Sequence, residues 1–149
     1  QLINKIQKKN YISKMLKVDN SALLKLQEKA SKSENGLSRI CLHNLGSEKV
    51  QLMIIAAIPG KIYPPISDNL PGWISYTVLK GSLKIKTYEE KHLNKNITYE
   101  LTTGETLRIN RNIYRETISD SIQGAIFMEV IEGMFDKSKR TSLKDEINE

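Results

Sequence analysis

Between Ile58 and Gly81 the chain reads IPGKIYPPISDNLPGWISYTVLKG, and the rest of the sequence is organised around this stretch. An apolar strand pattern ends at Pro59-Gly60, a proline-rich loop follows, and a second strand pattern closes in a Lys80-Gly81 turn. Upstream and downstream lie short β-type segments that can pack around it.

In chain order, residues 1–18 form a polar arm with scattered Ile, Leu and Tyr. A short helix is expected over Ser21–Ala30, capped by Asp19 or Ser21, with Leu23, Leu24, Leu26, Gln27 and Ala30 on its packed side. Strands are expected at Ser38–His43, Val50–Ile58, Ile74–Leu79, Ser82–Tyr88, Asn96–Leu101, Thr106–Ile109, Glu116–Ser119 and Gly124–Ile131. Val50–Ile58 is almost continuously apolar after Gln51, so both of its faces should be covered. Thr102-Thr103-Gly104-Glu105 is a turn, and the EEKHLNKN segment containing His92 reads as a charged turn. Short strands with turn signals at this frequency point to an all-β sandwich or barrel. The expected organisation is an arm over 1–18, one domain over 19–136 and a polar tail over 137–149.

A chain of 149 residues can bury a core without staples, and the single cysteine, Cys41, cannot form an internal disulfide. With no membrane-length apolar run and no signal-peptide pattern at its start, the chain reads as cytoplasmic. The net charge is +6, and Lys5, Lys8, Lys9, Lys14 and Lys17 cluster in the first 18 residues. Nucleic acid is the competing reading of that cluster. Later basic residues alternate with acids and no nucleic-acid motif is present, so a solvated basic arm is preferred. Membrane partners are likewise not expected.

Two spacings carry a resemblance. Gly60 is followed by five residues, then Ile66-Ser67-Asp68, and six residues separate Ile74 from Gly81. Gly104 is followed by five residues, then Asn110-Arg111-Asn112, two more, and Arg115. These frames resemble the two motifs of the cupin superfamily. The N-terminal helix, RICLH (Arg39–His43), Val50–Pro65 and FMEVIEGMFD (Phe127–Asp136) resemble the WbuC family of cupin-fold proteins over roughly residues 16–136. The resemblance implies a single-domain double-stranded β-helix, or jelly-roll barrel, often dimeric, with an internal pocket. It also implies a surface-polysaccharide (O-antigen) context.

The positions that bear metal ligands in cupins here read Ile66, Asp68, Ile74 and Arg115. Isoleucine supplies no lone pair and a guanidinium keeps its proton, so one donor remains and no metal or other cofactor is expected. His43 and His92, the only histidines, are read as structural or solvent-facing, and Cys41 as a small buried apolar residue. No catalytic residue is assigned. The expected ligand pocket comprises Tyr63, Ile66, Asp68, Ile74, Tyr76 and Arg115, with Trp73 nearby in sequence. Asp68 and Arg115 either plug a vacant site as a salt bridge or hold an anion on Arg115. The chain thus reads as a metal-free binding module for a small polar or anionic ligand such as a sugar or nucleotide sugar. The alternative is a metal-independent sugar isomerase or epimerase, whose base would be Asp68, a tyrosine or Glu129. A homodimer is expected from the family likeness and from the two apolar faces of Val50–Ile58.

Overall fold

The computed structural model of the protein describes residues 16–89 and 92–142, without the side chains of His92 and Leu93. The expected N-terminal arm lies outside the described residues as far as residue 15, and the expected C-terminal tail does so from residue 143.

Helix α1 (Asn20–Lys32) starts at Asp19, whose side chain accepts from the Ala22 amide at 2.9 Å. Lys29 and Lys32 fall in the last turn, where cations complement the carbonyl end of the helix. Leu26 and Ala30 are buried and Leu23 packs beside them. Leu24, expected on the packed side, is exposed, because the face that meets the sheet is the one carrying Leu23, Leu26, Gln27 and Ala30.

The strands are β1 (Leu37–Cys41), β2 (Val50–Ala57), β3 (Ile62–Asp68), β4 (Trp73–Glu89), β5 (His92–Thr102), β6 (Thr106–Asn110), β7 (Tyr114–Ser119), β8 (Ala125–Glu132) and β9 (Arg140–Ser142). All pairings among the described residues are antiparallel. One half of the curled sheet runs β1-β2-β8-β4-β6 and the other runs β5-β4-β7-β3-β9. Strand β4 belongs to both.

That double membership corrects the expected Lys80-Gly81 turn. The chain does not turn back there; it bends and continues as one 17-residue strand. The β4–β8 register shifts between Val78 and Lys80, and Gly81 has φ 77°, the left-handed region that glycine alone enters cheaply. A Cβ on Gly81 would collide with the Gly124 carbonyl oxygen, because the two glycine backbones pack directly together. The dipeptide signalled a bend, and its direction was set by the partner strands.

The proline-rich loop is also corrected, since Tyr63-Pro64-Pro65-Ile66 lies within β3. The register against β7 shifts between Tyr63 and Ile66, so the prolines sit where the ladder needs no amide donor. His92 begins β5 rather than lying in a turn, paired with Glu89. Part of the segment expected as a polar tail forms β9, which pairs with β3 through Ser67↔Thr141 and Asp68↔Arg140.

Side chains alternate cleanly across β2. Ile54 and Ala56 face outward, with Ile40 and Ile126, onto Leu26 and Ala30 of α1. Ile55 faces inward and joins Ile74, Tyr76, Val78, Leu83, Ile85, Phe127 and Ile131 in the inner core. Both faces of β2 are therefore covered within one chain, and the strand's apolar character no longer requires a second subunit. Among the described residues no helix is long and apolar enough to cross a membrane.

Gly81→Ala is expected to destabilise the fold by about 2–4 kcal/mol, from left-handed strain plus backbone overlap. Gly104→Ala, at an open turn with no atom near the added Cβ, should cost about 1 kcal/mol. Denaturant midpoints of the two variants check the ordering.

Candidate functional site

The inner face encloses a cavity of about 580 Å³ between the two halves of the sheet. Cross-strand register builds its floor: Cys41, Met53, Glu129 and Tyr76 form one row across β1, β2, β8 and β4. The adjacent rows bring Arg39, Ile55 and Phe127 together on one side, and Gln51 and Ile131 on the other. From the second half of the sheet come Tyr63 and Ile66 of β3, Arg115 and Thr117 of β7, and Arg140 of β9. Arg39 and Phe135 are exposed, which puts them at the mouth.

One wall is held by a charge cluster behind it. Asp68, almost fully buried, accepts from three arginines. Its Oδ1 takes the Arg140 Nε hydrogen at 2.8 Å, and its Oδ2 takes longer contacts of 3.4–3.5 Å from Arg111, Arg115 and Arg140. Burial alone would raise the Asp68 carboxyl. The Arg140 hydrogen bond and the charges of Arg140, Arg115 and Arg111 outweigh it, and hold the group below its ordinary value.

Three guanidinium groups share one carboxylate, so carbonyl oxygens complete the balance. Arg111 donates to Glu132 O at 3.2 Å and Met134 O at 3.0 Å, passing under Gly72 and Gly133. A Cβ on Gly133 would stand 2.9 Å from its Nη1. Arg115 donates to the Tyr76 hydroxyl at 2.8 Å and to the carbonyls of Arg111 and Ile113. With the Asp68 contact, these bonds commit four of its five N–H groups. Of the two expectations for Arg115, the geometry is that of the salt bridge with Asp68, and one N–H group is left to face an anion.

Glu129 is the one acid lining the cavity among the described residues. No donor among them hydrogen-bonds its carboxylate. Burial pushes its carboxyl up, opposed by the positive charges of Arg115, Arg140 and Arg39 and reinforced by Asp68. Burial likewise raises Tyr63, and takes Tyr76 up to about 12 against the pull of Arg115.

Of the residues expected to form the pocket, Tyr63, Ile66, Tyr76 and Arg115 line the cavity. Asp68 lies behind the wall, and Ile74 is fully buried in the inner core, between Ile109 and Ile131. Trp73 lies away from it, under the Arg108 guanidinium at 5.0 Å. Cys41 is half-buried on the cavity wall rather than sealed in the core, and His43 also lines the cavity, where its Nδ1 takes the Leu52 amide hydrogen at 3.2 Å.

Sequence reasoning missed Arg111, Arg140 and Gln51. Gln51 is buried, and its Nε2 faces the carbonyls of Leu45, Gly46 and Glu48, which pins the loop between β1 and β2 beside the cavity. The signal for it was present, as the lone polar residue of an apolar run.

Solved structures similar to this one include oxalate decarboxylases and an oxalate oxidase. The oxalate decarboxylase of Bacillus subtilis superposes with a TM-score of 0.60 at 16% identity, over 74% of this chain and 28% of that one. A formate complex of the Lactobacillus farciminis oxalate decarboxylase gives 0.58 at 12%, over 74% and 32%. An oxalate oxidase gives 0.54 at 20%, over 69% and 54%. The chain spans about a third of the decarboxylases and about half of the oxidase. No family model matches the chain, and no curated protein does. These likenesses, with the predominance of strand, establish a single-domain all-β cupin fold, with one α-helix among the described residues.

Cupins hold metals in the frame now occupied by Ile66, Asp68, Ile74 and Arg115, and this donor set does not fit one. Both Asp68 oxygens are engaged by arginine, and Arg115 is a fixed cation beside them. Among the described residues no group of three or more His, Cys, Asp or Glu side chains could hold a metal ion.

Protein purified without chelator is expected to carry no stoichiometric transition metal, read by elemental analysis. One metal per chain, lost on Asp68→Ala, would overturn that expectation. Asp68→Asn should cost about 3–5 kcal/mol, because it strands buried guanidinium groups. Since the folded carboxyl is held low, its contribution is fully present above the unfolded value and lost as pH falls through the folded one. Wild type and Asp68→Asn should therefore converge in stability towards acid pH, in melts across a pH series.

Proposed function

We propose that the cavity binds a small anionic, hydroxyl-rich ligand, with a sugar phosphate or nucleotide sugar as its class. The carrying observation is the uncommitted arginine chemistry at the mouth. Arg39 makes no hydrogen bond among the described residues, and Arg140 spends only Nε and one Nη2 hydrogen on Asp68. Beside them, Phe135 lines the cavity with its ring centroid 5.1 Å from the Arg140 guanidinium carbon. Below lie apolar Met53, Ile55, Phe127 and Ile131 with the hydroxyls of Tyr63 and Tyr76. Convergent polar groups over an apolar floor are the usual composition of a small-molecule site.

The resemblance of Arg39–His43, Val50–Pro65 and Phe127–Asp136 to the WbuC family supports a place in surface-polysaccharide metabolism. The lone cysteine supports a cytoplasmic setting. A homodimer belongs to the same reading, now resting on β5, which leaves Ile97 and Tyr99 exposed at the end of one half-sheet. The second reading, a metal-independent isomerase or epimerase, draws on one observation: Glu129 is a carboxylate in the cavity with no protein partner.

A thermal-shift screen of nucleotide sugars and sugar phosphates tests the binding reading. A ligand at about 100 times its dissociation constant adds about 2.7 kcal/mol, or about 5–10 °C for a domain this size. Arg39→Ala combined with Arg140→Ala should abolish the shift. A screen in which no sugar phosphate or nucleotide sugar moves the melt would overturn it.

A further inference from the structure

Within the binding reading just given, we propose that Glu129 is the acceptor that recognises the ligand's hydroxyl groups, opposite an anion-holding mouth formed by Arg39 and Arg140. Three observations carry this. First, the side chain is fixed by register: Glu129 stands between Met53 on β2 and Tyr76 on β4, on the inner face of β8. No hydrogen bond joins it to either neighbour: the Tyr76 hydroxyl accepts from Arg115, and methionine has no hydrogen to give. Second, the cavity surrounds it with charge that compensates at a distance without pairing. Arg39 faces it from β1, Arg115 from β7 and Arg140 from β9. The acidic and phenolic groups facing it are Asp68 and Tyr63 from β3 and Tyr76 from β4. None of the three arginines forms an ion pair with it; Arg115 and Arg140 pair with Asp68 instead. Third, buried polar groups in this fold are otherwise satisfied: no buried side-chain nitrogen or oxygen among the described residues lacks a partner. The Glu129 oxygens escape that category only because they open on the cavity.

A carboxylate so placed costs stability unless something donates to it. Its two oxygens accept only, and a pair of adjacent hydroxyls matches them with two charge-assisted hydrogen bonds. An anion at this position would be repelled, so a phosphate or carboxylate is directed to Arg39 and Arg140. The ligand therefore carries both parts: an anionic group and, separated from it by the cavity floor, neighbouring hydroxyls. A hexose phosphate or nucleotide hexose has this polarity. A bare dicarboxylate such as oxalate, on which the structurally similar proteins act, does not.

Glu129→Gln preserves the shape, removes the charge and converts one acceptor into a donor. The first measurement needs no ligand. The folded carboxyl is raised, so ionisation weighs against the fold as pH rises above the ordinary carboxylate range. Glu129→Gln should melt above wild type near about pH 8, with the difference vanishing near about pH 4. The second measurement is isothermal titration of wild type and Glu129→Gln with a panel of hexose 1-phosphates and UDP-hexoses, with inorganic phosphate as the anion-only probe. Glu129→Gln should weaken the hexose-bearing probes by about tenfold or more and leave inorganic phosphate unchanged. Equal hexose binding by both proteins would overturn the role of Glu129 while leaving the sugar reading intact. So would a Glu129→Gln protein that melts lower than wild type at every pH or fails to fold, since the carboxylate would then have a structural partner. No hexose binding by wild type overturns the sugar reading and this role with it.

Discussion

The carboxylate of Asp68 is the interaction on which the second half of the barrel depends. It lies at the end of β3 and gathers Arg111 from the turn after β6, Arg115 from β7 and Arg140 from β9. Backbone bonds repeat the same stitching, with the Asp68 amide on Arg111 O at 2.9 Å and the Arg111 amide on Gly72 O at 3.0 Å. Three cations around one anion would be unstable as a bare cluster. Five carbonyl or hydroxyl contacts from Tyr76, Arg111, Ile113, Glu132 and Met134 make it workable by directing negative dipole ends at the surplus charge.

The cupin resemblance would put metal ligands at Asp68 and Arg115, and here that pair joins β3 to β7 through an ion pair instead. Unlike a metal, it leaves no coordination position open. The donors of Arg111 and Arg115 are spent inward, so what reaches the cavity is their field together with the outer donors of Arg140. The site's recognition chemistry is displaced from the wall to the mouth and the opposite sheet, onto Arg39 and Glu129.

Much of the fold was legible because it rests on local signals. The apolar run of β2, the Asp19 cap and the turn at Thr102–Glu105 are each decided within a few residues, the last by Glu105 accepting from Thr102. Lys80-Gly81 was legible as an interruption, yet whether a positive-φ glycine makes a turn or a bend depends on Gly124, more than forty residues away in the chain. The proline pair misled for the same reason, since the ladder of β3 simply shifts across it. Within the site, Arg115 followed from the spacing after Gly104 and Tyr76 from strand facing, whereas Arg140 is 72 residues from Asp68 and sits in a segment whose composition matches any solvated tail. Arg111 lies between two asparagines, in a tripeptide that reads as an exposed turn, and is nearly inaccessible. Long arginines reach across elements, so their partners are set by topology rather than by neighbours in sequence.

The same topology explains why Glu129 can remain unpaired. A cavity acid next to three arginines would ordinarily collapse onto one of them, and here each is restrained. Arg115 is anchored at four donors, Arg140 is drawn to Asp68 and stacked on Phe135, and Arg39 projects from the edge strand of the opposite half-sheet. Asp68 thus does more than hold the wall together: by engaging Arg115 and Arg140 it keeps them from neutralising the cavity's acid. The buried cluster and the open carboxylate are two consequences of one arrangement, in which positive charge is fixed on one side of a small cavity and a negative acceptor is left exposed on the other. A ligand with its own separation of charge and hydroxyl groups is the complement that such a field selects.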